Sequence, residues 1–311
     1  ISAWIKPSLE VATFSILGAG SSGSAYYIFG MEGDDLYFEE TSSGGALRAN
    51  RKLRDPSAWY HLVASVDTTQ ATDSNRLKLY VNGVRETSFS TENYMAEDFE
   101  SAYINNTSVH YIGHSPAQGS HYLNGYIGEV NFIDGTALGP DSFGETKDGI
   151  WVPKNVSGLT YGTNGFHLDF ADSSAIGNDV SGQNNDFAVS GLAATDVVLD
   201  SPTNNFATLN PLNNPDGTFS EGNLKWTSTT TDQRIALTTM PVDALGTDDS
   251  YAEVRIGSKS STYWAIGVFG NPKSWNPRVM YRSDGVINRD GTDTQTGVGT
   301  FTEGDIMSIT Y

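Results

Sequence analysis

Two runs that alternate apolar and polar residues at every second position confine this chain to β-structure over its most legible stretch. The first is Trp59-Tyr60-His61-Leu62-Val63-Ala64-Ser65-Val66-Asp67, and the second is Leu77-Lys78-Leu79-Tyr80-Val81-Asn82-Gly83-Val84-Arg85. A period of two gives a strand one buried face. Asn82-Gly83 supplies the positive φ angles of a tight two-residue turn, so the second run is expected to fold back on itself as a hairpin.

The same grammar extends from residue 1 to residue 143. Strands are expected at 1–5, 13–18, 25–29, 35–40, 46–51, 61–67, 78–81, 109–113 and 126–133. Turn signals recur about every ten residues, the spacing of a sandwich. Trp4, Trp59 and Trp264 fall within expected strands and read as core. The 311 residues leave room for about two domains of roughly 150 residues each. No run approaches the ~18 apolar residues of a membrane-spanning helix, so no membrane insertion is expected. Ile1-Ser2-Ala3-Trp4-Ile5-Lys6-Pro7 reads as the middle of a strand, which suggests a piece of a longer polypeptide.

Eighteen Lys and Arg against 37 Asp and Glu give a formal charge of −19. Such a surface repels phosphate backbones and argues against nucleic acid as a partner. The carboxylates are scattered, which fits solubility or a salty medium that screens self-repulsion better than it fits one acidic site. Without cysteine there are neither disulfides nor thiolate metal sites. An extracellular β-protein lacking disulfides points to bacterial or viral origin.

Three motifs carry a family resemblance. They are Ile1-Ser2-Ala3-Trp4-Ile5-Lys6-Pro7, the L-x-V-N-G hairpin at 79–83, and the G-x-I-x-E-V-x-F strand at 125–132. In this order, across about 135 residues, they resemble the laminin-G-like branch of the concanavalin A-like jelly roll. The resemblance implies a jelly-roll β-sandwich at 1–143 whose opening strand would lie before Ile1, and a short helix near Thr136-Ala137-Leu138-Gly139-Pro140-Asp141. Residues 144–218 read as a Gly/Asn/Pro-rich connector. Within it, Phe166–Phe170 either pairs back onto the first sandwich or opens an ordered connector. Asp200-Ser201-Pro202-Thr203-Asn204-Asn205-Phe206-Ala207-Thr208-Leu209-Asn210-Pro211 resembles a junction of tailed-phage, especially marine-phage, structural proteins. Residues 219–311 return to strands, with 250–257 and 263–269 expected to pair. Their E-V, I-G-V and G-D-x-x-x-I features resemble part of a SPRY-type domain, a second and incomplete β-sandwich. The fold class expected is all-β throughout.

Catalytic patterns are missing. Glycosidases of this fold set paired carboxylates on one strand as E-x-D-x-x-E, and no such run occurs; Glu97-Asp98-Phe99-Glu100 has the wrong spacing and reads as a loop. There is no G-x-S-x-G, H-E-x-x-H or Walker loop. His110, His114 and His121 lie near one Gly/Ser-rich turn, and read as polar strand and loop residues unless the fold makes them converge. The resemblance raises one rim calcium, an ion that takes oxygen ligands. Asp67, Asp134, Asp172 and Asp179 are its candidate ligands, and capping of turns is the competing role. Sugars are gripped by aromatic faces with flanking polar groups. Tyr94, Tyr103, Tyr111, Tyr122 and Trp275 are the loop aromatics proposed for such a surface, with Tyr26 and Tyr27 also placed in or beside loops.

The expectation from resemblance is a non-enzymatic phage virion protein, a tail or head fibre or decoration protein displayed on the particle exterior. Its partners would be other virion proteins and host cell-surface polysaccharide, and it would form a homo-oligomer, trimers being common among such fibres. The rival readings are a structural capsid or tail mortar protein without ligand, and a bacterial surface adhesin.

Overall fold

The computed structural model describes residues 1–8, 13–115, 121–213, 217–229, 235–240, 251–258, 265–269 and 278–310. They divide into one unit of Ile1–Leu212 with Glu221–Leu224 and another of Asn213–Ser220 with Lys225–Tyr311. The first unit carries β1 (Ser2–Pro7), β2 (Phe14–Ser22), β3 (Ala25–Glu32), β4 (Asp35–Glu40), β5 (Gly45–Lys52), β6 (Tyr60–Val66) and β7 (Leu77–Val81). It continues through β8 (Val84–Arg85), β9 (Phe89–Asn93), β10 (His110–Ile112), β11 (Gly125–Phe132), β12 (Gly144–Lys147), β13 (Ile150–Pro153) and β14 (Phe166–Leu168). Two six-stranded sheets result, ordered β14-β11-β1-β6-β7-β8 and β10-β2-β3-β4-β5-β9, with β12 and β13 forming a separate hairpin.

Alternation decides which side chains meet between the sheets. Ala3 and Ile5 of β1, Leu62 of β6 and Leu79 of β7 share one core with Phe14, Phe29, Phe38 and Leu47 of the facing sheet. Tyr27 joins that core at 2% exposure, and Tyr26, at 7%, packs in a separate cluster with Ile28 and Tyr37. Both therefore belong to β3 rather than to a loop, as befits aromatics on a pleated, buried surface. The β7–β8 turn takes φ values of 47° at Asn82 and 80° at Gly83, the backbone that a tight hairpin turn requires. A Cβ at Gly83 would lie 2.7 Å from the Trp151 ring. Gly83→Ala is expected to lower unfolding free energy by roughly 2 kcal/mol through strained φ and displacement of that ring; urea denaturation tests this, and an unchanged midpoint would contradict it.

The stretch read as a connector lies largely within the first unit. Phe166–Leu168 pairs with β11, so of the two alternatives the return to the sandwich is the one observed. Phe143 and Val156 pack with Val63 and Tyr80 on the outer side of the first sheet. Isolated apolar residues between turn formers carry no periodicity, which is why composition alone gave this covering layer the look of a linker. Expected helix formation near 136–141 is met by a 3-10 turn at Pro140–Ser142.

Two buried polar residues fasten this layer. Lys6 is fully buried, and its Nζ donates to Asp200 Oδ2 at 2.7 Å, Asn205 Oδ1 at 2.8 Å and the Phe206 carbonyl at 2.7 Å. These acceptors match the three donors of an ammonium. Asp200 Oδ1 accepts the Trp59 indole N–H at 2.9 Å. Trp59 thus stands half-buried just ahead of β6, not in the core as its sequence setting suggested, because its indole N–H serves this cluster. His61, also fully buried, stacks on Trp4 at 4.8 Å between ring centres. Its Nδ1 accepts the Trp151 indole N–H at 3.0 Å. Because indole N–H can only donate, neutral His61 carries its proton on Nε2 and donates to Ser2 Oγ, 2.8 Å away.

The second unit holds the hairpin β15 (Gly217–Ser220) and β16 (Lys225–Ser228), and strands β17 (Tyr251–Arg255), β18 (Ala265–Phe269), β19 (Arg278–Arg282), β20 (Val286–Arg289), β21 (Thr292–Thr296) and β22 (Ile306–Thr310). β17 pairs with β22, while β18 to β21 form a four-stranded meander. The expected pairing of 250–257 with 263–269 is therefore corrected. No tight-turn signal joins those two runs, whereas Asp284-Gly285 sits between β19 and β20 and closes a hairpin there. Trp264 and Trp275 lie outside the described residues.

Candidate functional site

The outer face of β2 is nearly bare. Ser15, Gly18 and Gly20 point away from the core there, and a Cβ at Gly18 would come within 2.7 Å of the His114 carbonyl. Glycine at this position lets the chain after β10 lie directly on the sheet. Backbone bonds hold both ends of that loop: Gly113 N–H to Ile16 O at 3.0 Å, Leu123 N–H to Gly113 O at 2.7 Å, and Ser15 N–H to His121 O at 3.3 Å.

This anchoring assembles three rings. His114 and Tyr122 stack at 4.2 Å with an interplanar angle of 6°, and Tyr111 meets His114 edge-on at 5.6 Å. Tyr122 is 62% exposed, so a ring fixed by stacking presents apolar surface to solvent. On β2 and the ends of this loop, Ser15 Oγ, His114 Nδ1, Ser115 Oγ and His121 Nδ1 are buried with no hydrogen-bond partner among the described residues. Burial pushes the His121 imidazole below its ordinary pKa; Glu32 opposes that shift and His114 adds to it. An aromatic ring held by stacking and open to solvent is the chemistry of a sugar-contacting surface.

The other aromatic candidates are not gathered here. Tyr94 and Tyr103 pack against the main core from its margin, and Tyr94 Oη donates to Glu92 at 2.8 Å. Each of the four aspartates is engaged by hydrogen bonds, Asp67 and Asp172 within their own turns and Asp134 with residues 29 and 30 positions away. Asp67 accepts from Thr69 and Gln70, and Asp172 from Ser174. Asp134 accepts from Asn105 and the Asn164 amide. Asp179 receives the amides of His167, Ser181 and Asn185. Among the described residues no three His, Cys, Asp or Glu side chains come together as a metal-binding group.

Sequence reading missed the pair Glu129 and His167, whose Oε2 and Nε2 lie 2.7 Å apart. Glu129 has φ of 52° where the β1–β11 register slips between Ser2 and Trp4. A bulge of this kind re-aims a side chain, and the E-V step in an otherwise regular strand was its only trace. A separate open cleft of about 370 Å³ is lined by Ile176, Asp186, Phe187, Val189 and Leu192.

Comparison with known families matches residues 1–142 to the concanavalin A-like lectin/glucanases superfamily. No curated protein and no solved structure matches the chain.

Proposed function

We propose, proceeding from the lectin/glucanase-type domain at residues 1–142, that this chain recognises cell-surface polysaccharide through the Tyr111–His114–Tyr122 cluster. The exposed, stacked Tyr122 ring carries the reading, because C–H faces of sugars pack on such π faces. Binding without cleavage is supported by the lack of an E-x-D-x-x-E strand. The setting proposed is the exterior of a phage particle, as part of a tail or head fibre or a decoration protein. Support for it is the resemblance of the 200–211 segment and the SPRY-like features after residue 219. Repetition of weak sites there, in a homo-oligomer, raises avidity by ~10²–10⁴.

Tyr122→Ala is expected to weaken binding to the cognate polysaccharide by about tenfold, equivalent to about 1.4 kcal/mol, with an unchanged melting temperature. Glycan-array binding of labelled wild type and variant checks this; equal binding by a folded variant would remove Tyr122 from the site. A structural mortar role is the second reading. It is favoured by apolar side chains on the β17–β22 ribbon, where Tyr251 is 63% and Ile306 61% exposed. A chain that binds no glycan but assembles with virion proteins would support that reading instead.

A further inference from the structure

We propose that Lys6 and Asn205 join in an isopeptide bond, with Asp200 carrying the protons. The three side chains meet at one nitrogen. Lys6 Nζ lies 2.8 Å from Asn205 Oδ1 and 2.7 Å from Asp200 Oδ2, and the Lys6 side chain has no exposed surface. The amide carbon is one C=O bond beyond Oδ1, so the nitrogen stands within about 4 Å of the atom it would attack. That is close to the ~3–3.5 Å of a near-attack arrangement. The Tyr126 ring lies 5.6 Å from Nζ. Asp200 Oδ1 accepts the Trp59 indole N–H at 2.9 Å and the Phe206 amide at 3.3 Å, and Asn205 Nδ2 donates to the Ser57 carbonyl at 2.7 Å. Proton carrier and electrophile are thus both held from behind, with an oxygen of each on the lysine.

The ion pair is the reactant state. One ammonium proton passes along the 2.7 Å bond to Asp200 Oδ2, leaving a neutral amine and a neutral carboxyl. Desolvation penalises the two charges that this step removes. The Nζ lone pair then bonds to Asn205 Cγ, and the C=O π pair moves onto Oδ1. As the carbonyl re-forms, the bond from Cγ to Nδ2 breaks and its electron pair stays on Nδ2. Asp200 gives its proton to Nδ2 and takes a second from Nζ. Ammonia leaves and carries that last proton away as ammonium, so Asp200 ends as the carboxylate it began as. Asn205 is otherwise exposed, which gives the leaving group a path to solvent. No co-reactant is needed, and the rate comes from holding amine and amide together. The bond closes a loop across 199 positions and ties the covering layer covalently to β1. Until it forms, the cluster is held by the ion pair and hydrogen bonds. It shares no residue with the proposed glycan surface and is independent of that reading.

Intact-mass spectrometry of the full chain, kept folded for one week at neutral pH and physiological temperature, is the test. The mass is expected to fall below the sequence mass by one ammonia. That loss is expected to vanish in Asn205→Ala and in Lys6→Arg, and to slow at least tenfold in Asp200→Ala. Lys6→Arg keeps a positive charge facing Asp200, and Asn205→Ala leaves the Lys6–Asp200 pair in place. Should a variant fail to fold by circular dichroism, the wild type decides alone: its digest must yield, by tandem mass spectrometry, a branched peptide joining Lys6 to Asn205. An unchanged mass, loss of one water with a link to Asp200, or undiminished linking by folded Asp200→Ala would overturn the proposal. So would an ammonia loss retained by Asn205→Ala, as succinimide formation at Asn82-Gly83 would produce.

Discussion

Asp200→Ala is expected to lower the unfolding free energy of the first unit by about 3–5 kcal/mol, the range for breaking a buried ion pair from one side. Lys6 has no exposed surface and the Asp200 side chain only 7%, so water cannot replace the lost carboxylate without opening the covering layer. The same substitution orphans the Trp59 indole N–H. At about 2–4 °C per kcal/mol for a unit of this size, the melting temperature falls on the order of 10 °C. Lys6→Met/Asp200→Leu is expected to regain part of the loss, since an apolar pair of similar volume removes the stranded charge. A double-mutant cycle in urea measures the coupling directly. A loss below about 1 kcal/mol for Asp200→Ala would mean that the ammonium is solvated and the layer loosely held.

Acidification should act through His61. Burial pushes its pKa from 6.5 down to about 3. Between those values the unfolded chain takes up a proton that the native protein refuses, so stability falls as pH drops from 6.5 towards 3 and is fully retained above 6.5. The full shift corresponds to roughly 5 kcal/mol. Protonation would put a proton on Nδ1, where the Trp151 indole N–H already points, so the charged ring cannot keep that bond. Asp34 and Asp67, held below the ordinary carboxylate range by Arg54 and by Thr69 respectively, add a further loss at the acid end. Urea unfolding at pH 7 and pH 4.5 tests the histidine share. His61→Phe should be less stable than wild type at pH 7 yet show a shallower decline on acidification. Parallel slopes would place the acid sensitivity in other groups.

What the sequence revealed follows from what leaves a periodic trace. The alternation at 77–81 and the Asn82-Gly83 turn appear in the fold as read, because one-sided burial imposes a period of two. The run at 60–66 is a strand as read, but it is buried continuously from His61 to Ser65, on both faces. The expected strand at 35–40 coincides with β4. Lys6, His61 and Asp200 left no such trace. A strand buried on both faces loses its alternation, and β1 is buried at every position. The site was half legible. Tyr111 and Tyr122 stood out as loop aromatics, but their union through His114 depends on Gly18 and Ser15, nearly a hundred residues earlier, lending the loop a bare surface. Asp67 and Asp172 illustrate the opposite case, where turn capping describes what the side chain does, whereas Asp134 bonds Asn105 and the Asn164 amide far along the chain, which no local pattern announces.

The Lys6 cluster also bears on the order in which the chain can mature. Its partners lie 194 to 200 positions downstream. A ribosome that has released the first 142 residues, the whole span of the family match, has delivered the lysine without Asp200, Asn205 or Phe206. Until that later segment emerges, burying the ammonium carries a desolvation penalty with no anion to offset it. The nascent sandwich is thus held short of its final packing during synthesis, and the unit of biosynthetic folding is longer than the unit of ancestry.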